Sequence, residues 1–70
     1  MSTDELLNKL MQMLKDDIID DFSLEPGIFP RGFEANIQKD GEWIMAWDVT
    51  PEGALTDVMG RFRERYGETN

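Results

Sequence analysis

Four aspartates limit how far the first amphipathic segment of this chain can pack as a helix. Leucine, isoleucine and methionine recur at helical spacing in this segment, and their stripe covers about half of the helix circumference. The same spacing places Asp17 and Asp21 within the apolar stripe and Asp16 and Asp20 on the polar side. All four carboxylates lie near the negative end of the helix macrodipole, which disfavours them. We therefore expect a helix over residues 3–20 whose packed part ends near Asp16 and whose last turn projects into solvent or unwinds.

Both predicted helices begin at recognisable capping residues. Ser2 and Glu5 form a capping box at the start of the first helix. Thr50 suits the N-cap and Pro51 the first helical position of a second helix over residues 51–66. The apolar residues of this second helix fall in one narrow arc, which predicts a single packing face: Leu55, Val58, Met59, Phe62 and Tyr66.

Two strands joined by a hairpin turn are predicted over residues 33–39 and 42–49. A two-residue type I′ turn at Asp40-Gly41 is one alternative for the connection. It would place Phe33 opposite Asp48 and would mix large apolar and charged side chains on both faces of the hairpin. A shift of one residue in the register exchanges the two faces of a strand, so the choice of turn decides which side chains are buried.

A three-residue loop, Lys39-Asp40-Gly41, is the predicted connection because it separates apolar from polar side chains. Gln38 then lies opposite Glu42, and the other face carries Ile44 and Ala46 among polar neighbours. This register also predicts that both tryptophans belong to the core. The apolar face would be built from the facing pairs Ile37 with Trp43, Ala35 with Met45, and Phe33 with Trp47.

The segment between the first helix and the hairpin is predicted to be a loop over residues 22–32. Pro26-Gly27 and Pro30-Arg31-Gly32 are strong turn signals. Ile28 and Phe29 lie between these signals. Two alternatives remain for this apolar pair, which either folds back as a lid over the core or anchors a partner.

These elements predict an α+β fold for the chain. We expect a single small α-β-β-α domain of residues 1–70, with two helices packed on one face of an antiparallel hairpin. Two strands alone are only marginally stable in water. The predicted core therefore depends on large side chains from both helices and the hairpin, chiefly Phe33, Trp43, Trp47 and Phe62.

The composition argues against catalysis. The chain has 70 residues and contains neither histidine nor cysteine. It therefore lacks the usual general base near neutral pH and the commonest metal ligands. The aspartates also do not have the spacing of a calcium-binding loop. We predict a protein that is not an enzyme and that uses no cofactor or metal.

The charge indicates which partners the chain could bind. Fifteen acidic residues against seven basic ones give a formal net charge of −8. Such a surface repels nucleic acid and anionic membranes, and it attracts basic protein surfaces. The alternative is that the charge serves only solubility. No signal peptide and no membrane-spanning apolar run is recognisable, so we expect a cytoplasmic protein.

Three candidate surfaces for binding a protein partner follow from these patterns. The first is the aspartate group, which could also imitate the phosphates of DNA. The second is the apolar pair in the loop, and the third is the outer face of the hairpin beside an unprotected strand edge. Such an edge allows either homodimerisation or the addition of a partner's strand. The residues concerned are Asp16, Asp17, Asp20, Asp21, Ile28, Phe29 and Ile44.

Two stretches of the sequence resemble HicB-like antitoxin domains. The first runs from Phe33 to Gly41 and is followed by Trp43, and the second is Thr50-Pro-Glu-Gly-Ala-Leu55. In those domains a Lys-Asp-Gly type turn joins two strands, and a helix begins at a Thr-x-Glu-x-Ala-Leu sequence. The resemblance covers about residues 33–62, lacks the family's further strand before the helix, and implies neutralisation of a toxin.

The functional prediction is a small acidic protein that binds another protein. We expect an inhibitor or modulator, of the kind encoded by phages or mobile elements, that docks on a basic surface of a nucleic-acid-handling protein. The alternatives are a structural or accessory subunit of a larger assembly and an antitoxin-type module.

Overall fold

A computed structural model of the chain describes residues 2–27 and 31–67. Along the chain, one helix precedes three strands and a second helix follows them. The strands form one antiparallel sheet in the order β1-β2-β3. The elements are α1 (Thr3–Lys15), β1 (Asp21–Gly27), β2 (Gly32–Lys39), β3 (Glu42–Asp48) and α2 (Pro51–Tyr66). Both helices contribute to a core on one face of the sheet, which confirms the predicted α+β class.

The sheet has three strands rather than the two of the predicted hairpin. Much of the segment predicted as a loop forms β1, which pairs antiparallel with β2 along its whole length. Phe22 and Leu24 pack against the core, whereas the alternate residues Asp21, Ser23 and Glu25 lie on the other face. This alternation of apolar and polar residues is the strand signal that the neighbouring proline and glycine obscured.

Helix α1 ends five residues before the predicted end, at the point where the aspartates begin. Asp16 is the C-cap, and Asp17 adopts a left-handed conformation with φ of 58°. The Ile18 N–H then donates to the Met13 carbonyl at 2.9 Å, and the Asp17 N–H donates to the Leu14 carbonyl at 3.2 Å. This pair of bonds is a Schellman motif, which satisfies the last carbonyls of the helix and turns the chain toward β1.

The connection between β2 and β3 is a two-residue turn, so the predicted three-residue loop is wrong. Lys39 pairs with Glu42 across the turn. Asp40 and Gly41 have φ of 54° and 82°, the two positive values that a type I′ turn requires. The whole register therefore shifts by one residue from the prediction, and Phe33 lies opposite Asp48.

This register buries alanine and isoleucine side chains of β2 and β3 instead of the tryptophans. Ala35, Ile37, Ile44 and Ala46 are buried on the inner face, where α2 packs across both strands. Alanine and isoleucine allow a helix to approach the sheet closely, whereas an indole in the same position would hold it away. The core also includes Leu6, Leu10 and Met13 of α1 and Leu55, Val58 and Phe62 of α2.

Helix α2 has the predicted bounds, from Pro51 to Tyr66. The Gly53 N–H donates to the Thr50 hydroxyl at 3.0 Å, so Thr50 is the N-cap as predicted. Phe62 is fully buried and lies 4.9 Å from the Tyr66 ring, measured between ring centroids. The predicted packing face of this helix therefore forms the centre of the core.

Candidate protein-binding surface

The face of the sheet that lies away from the helices is here called the open face. It carries the alternate residues of each strand that do not point into the core. The open face is built by Asp21, Ser23 and Glu25 of β1, Glu34, Asn36 and Gln38 of β2, and Trp43, Met45 and Trp47 of β3. The three β3 side chains form an apolar row along one edge of the sheet.

The apolar row is unusually exposed for such large side chains. Trp43 is 50% exposed, Met45 55% and Trp47 42%. Val49 follows directly after the strand and is also exposed. Contiguous exposed apolar side chains beside polar ones are typical of sites where a protein binds a partner. Tryptophan and methionine are also enriched in such interfaces.

Trp47 packs over Gly32 of the neighbouring strand β2, which has no side chain. A β-carbon built on Gly32 would lie 2.7 Å from two carbon atoms of the Trp47 ring and 2.6 Å from the Asp48 carbonyl oxygen. The indole therefore lies directly against the backbone of Gly32. An aromatic ring packed across a strand glycine is partly immobilised, which reduces the entropy lost when a partner covers it.

The strand residues of the open face include three carboxylates and no lysine or arginine. Glu34 pairs with Trp47 across β2 and β3, and Glu25 pairs with Glu34 across β1 and β2. At the other end of the sheet, Asp21 pairs with Gln38, which in turn pairs with Trp43. Acidic side chains thus accompany the apolar row at both of its ends.

Asp20, which follows the end of α1, contacts the β2–β3 turn. The Asp40 N–H donates to the Asp20 carboxylate at 2.7 Å, and the Asp20 N–H donates to the Gln38 carbonyl at 2.8 Å. The fold therefore adds a fifth exposed carboxylate, Asp40, to the predicted group. We call Asp16, Asp17, Asp20, Asp21 and Asp40 the acid cluster, and Asp21 belongs to both the acid cluster and the open face.

No ion pair neutralises the acid cluster within residues 2–27 and 31–67. The nearby Lys39 ammonium donates to the Ile18 carbonyl at 3.0 Å and lies 5.7 Å from the centroid of the Tyr66 ring. Arg65 forms an ion pair with Glu42, rather than with the end of α1. The acid cluster is therefore available to a positively charged partner.

One of the three predicted surfaces needs correction, and another lies outside the described residues. Ile44 was predicted on the outer face of the hairpin, but it is only 8% exposed and belongs to the core. Its neighbours Trp43 and Met45 occupy the position expected of it, because the register is shifted by one residue. Ile28 and Phe29 lie outside the described residues.

Sequence reasoning placed the tryptophans on the wrong face, although a signal for the right one was present. Asp-Gly between two strands favours a two-residue type I′ turn, and that turn alone brings Trp43 and Trp47 to the outside. The preference for a uniformly apolar face outweighed this signal. It is wrong because α2 packs across the middle of the inner face, where the small residues Ala35 and Ala46 lie opposite each other.

The described residues show no metal centre and no membrane span. Within residues 2–27 and 31–67, no group of three acidic side chains is arranged to hold a metal ion. Neither α1 nor α2 has the length and apolar character required to cross a bilayer.

Comparison with known proteins finds no matching family model, curated protein or solved structure. The resemblance to antitoxin domains therefore rests on the residues quoted above alone.

Proposed function

We propose that this chain is a non-enzymatic protein-binding module that docks on a basic surface of a nucleic-acid-handling protein. The observation that carries the proposal is the composition of the open face, whose strand residues combine two half-exposed tryptophans with three carboxylates and include no lysine or arginine. Tryptophan is the residue most often responsible for binding energy at protein interfaces. The acidic surroundings select a partner whose own surface is basic.

The position of the acid cluster supports a partner that normally binds nucleic acid. The pairing Asp21–Gln38–Trp43 runs across the sheet and joins the acid cluster to the apolar row. With a spacing of about 4.8 Å between strands, Asp21 lies roughly 10 Å from Trp43. A protein that binds DNA contacts phosphates and base edges at neighbouring positions of one surface, so it offers positive charge close to groups that contact the bases. The carboxylates would occupy the positions of the phosphates.

Capture from a cell lysate, followed by direct binding measurements, tests this function. The immobilised chain should retain a basic, nucleic-acid-binding protein at low salt and lose it steeply at moderate salt, because screening weakens attraction between exposed charges. Duplex DNA added in solution should compete with the chain for the purified partner. A partner that binds the chain and DNA simultaneously would contradict the mimicry of phosphates.

Matched variants separate the two parts of the surface. Replacing Trp43 and Trp47 with serine should weaken binding at least tenfold, whereas Met11→Ser, which alters an exposed apolar residue of α1, should leave it unchanged. Replacement of the aspartates at positions 16, 17, 20 and 21 by asparagine should weaken binding and remove most of its salt dependence. Asparagine keeps an acceptor oxygen for the Asp40 N–H, so the turn is retained.

A second function is favoured by the apolar row itself. A structural or accessory subunit of an assembly would bury Trp43, Met45 and Trp47 permanently and would use its charge only for solubility. Apolar interfaces respond weakly to salt. Binding that is lost on replacing the tryptophans but is insensitive both to salt and to the asparagine substitutions would favour this alternative over the inhibitor.

A further inference from the structure

The two edges of the sheet differ in how well they are protected against pairing with another strand. Edge strand β1 carries charged residues and a proline, Pro26, which are common protections of sheet edges. Edge strand β3 has five consecutive residues, from Trp43 to Trp47, with no charge, proline or glycine. An edge of this composition is a template for another strand.

The free edge of β3 presents the backbone groups of the same residues that form the apolar row. In a two-residue hairpin, the pair that flanks the turn exchanges both of its hydrogen bonds, and such pairs then alternate along the ladder. Glu42, Ile44 and Ala46 therefore direct their N–H and carbonyl groups toward β2. Trp43 and Met45 direct theirs away from it, where the described residues supply no neighbouring strand.

The sequence of β3 has nearly the same character in both directions. It reads acid, tryptophan, aliphatic, Met45, aliphatic, tryptophan, acid. A two-fold axis at Met45 would place Trp43 opposite Trp47 of a second copy and Ile44 opposite Ala46 of that copy. It would also pair Met45 with its own equivalent through outward-facing backbone groups, which is the hydrogen-bonding pattern that an antiparallel ladder requires.

We infer that two copies of the chain associate through β3, antiparallel about a two-fold axis at Met45, to form one continuous six-stranded sheet. This dimer goes beyond the proposed function because it requires no other protein. Its open face carries two adjoining apolar rows at its centre, with the acidic strands outside them.

The ends of the paired strands bring like charges opposite each other, and an arginine lies beside them. The two-fold axis places Glu42 opposite Asp48 of the second copy, on the side of the sheet that carries the helices. Arg65 of α2 forms an ion pair with Glu42 and remains half-exposed. Arg65 therefore reduces the repulsion at this end of the ladder, and the Asp48 carboxylate of each copy accepts from the Val49 N–H of the same copy.

Measurement of the oligomeric state tests the inference. Sedimentation equilibrium of the full chain should show twice the chain mass, and dimerisation should strengthen as salt is raised because each copy carries a net charge of −8. Binding to a basic partner should weaken under the same change, so the dimer and the proposed function can fail separately. A chain that remains monomeric at submillimolar concentration and high salt would overturn the inference.

Substitutions at Met45 test the role of the edge. Met45→Pro removes an outward N–H without removing a bond to β2, and it should give a folded monomer, as judged by far-ultraviolet circular dichroism. Met45→Thr removes the same side chain but keeps the N–H, and it should remain a dimer. Should the proline variant fail to fold, Met45→Lys places two like charges at the axis and should also give a monomer. A lysine variant that still dimerises fully would overturn the inference.

Cross-linking tests the register, since the chain has no cysteine of its own. A thiol introduced by Met45→Cys should meet its equivalent at a Cα separation of about 5.5 Å, which allows a disulfide. Trp43→Cys is the matched control, because its equivalent would lie about 13 Å away along the strand. Efficient oxidation of the Met45 variant alone supports the axis, and equal oxidation of both variants contradicts it.

Discussion

Asp17 has a backbone conformation that most side chains avoid. Its φ of 58° completes the Schellman motif that ends α1, a position where glycine is usual. Aspartate tolerates this region better than most residues do, but its carboxylate also lies beside the negative end of the helix macrodipole. The residue is therefore unfavourable to stability for two separate reasons.

Asp17→Gly should consequently stabilise the protein. We expect the free energy of unfolding to rise by about 0.5–1 kcal/mol, since glycine adopts positive φ without steric strain. Urea denaturation followed by circular dichroism measures the change. Asp17→Asn separates the two causes, because it removes the charge and keeps a side chain. A glycine variant less stable than the parent would contradict this account.

A second residue-scale prediction concerns the glycine beneath Trp47. Gly32→Ala should lower the free energy of unfolding by about 1–3 kcal/mol, because the added methyl group would overlap the indole and the Asp48 carbonyl and because alanine is strained at a φ of 153°. Gly60→Ala, in the interior of α2, is the control. A β-carbon at Gly60 would have no atom of another element within 4 Å. The control should stabilise the helix by up to about 1 kcal/mol. Similar melting temperatures for the two variants would contradict the packing of Trp47 on Gly32.

At the scale of elements, the β2–β3 turn determines which residues the sheet exposes. Gly41→Val should destabilise the fold by at least about 1 kcal/mol, since a β-branched residue is strained at a φ of 82°. Space is not the cause, because a β-carbon at Gly41 contacts nothing. Asp40→Asn should be nearly neutral, as asparagine also suits a type I′ turn. Thermal denaturation of both variants measures the difference, and equal small effects would contradict this turn.

The parts of the fold that were predictable are those decided by neighbours in sequence. Thr50 and Pro51 define the start of α2 locally, and the capping box at Ser2 does the same for α1. The end of α1 is also local, and the crowding of aspartates predicted it better than the apolar stripe did. Ile18 continued that stripe, but it follows Asp17 in the Schellman motif instead of extending the helix.

The sheet was less predictable because contacts distant in sequence decide it. Strand β1 gains its stability by pairing with β2, and its own sequence contains a proline and a glycine that favour a loop. The hairpin register has a local signal in Asp40-Gly41, and its agreement with the packing of α2 over Ala35 and Ala46 is visible only in the folded chain. Four of the five aspartates of the acid cluster were recognisable from the sequence, whereas the apolar row was missed because its exposure follows from that register.

At the scale of the whole molecule, stability resides on one side of the sheet. Phe62 is 1% exposed and contacts the centre of the core, so Phe62→Ala should cost roughly 3–5 kcal/mol. Trp43→Ala removes a larger side chain from the open face, yet it should cost only roughly 1–2 kcal/mol, because half of that side chain is already in water and its loss leaves no cavity in the core. Denaturant titration of both variants measures the contrast. A tryptophan variant as unstable as the phenylalanine variant would show that the open face is covered in solution.

The location of both tryptophans in β3 also determines what the fluorescence of this protein reports. The chain has two tryptophans, and both indoles are half-exposed to water on the open face. Unfolding should therefore shift their emission only slightly, although it removes the core around Phe62. Binding of a partner to the open face should shift the tryptophan emission to shorter wavelength, while the circular dichroism signal of the helices stays constant. Tryptophan emission is thus a sensitive monitor of association in this protein and an insensitive monitor of its folding.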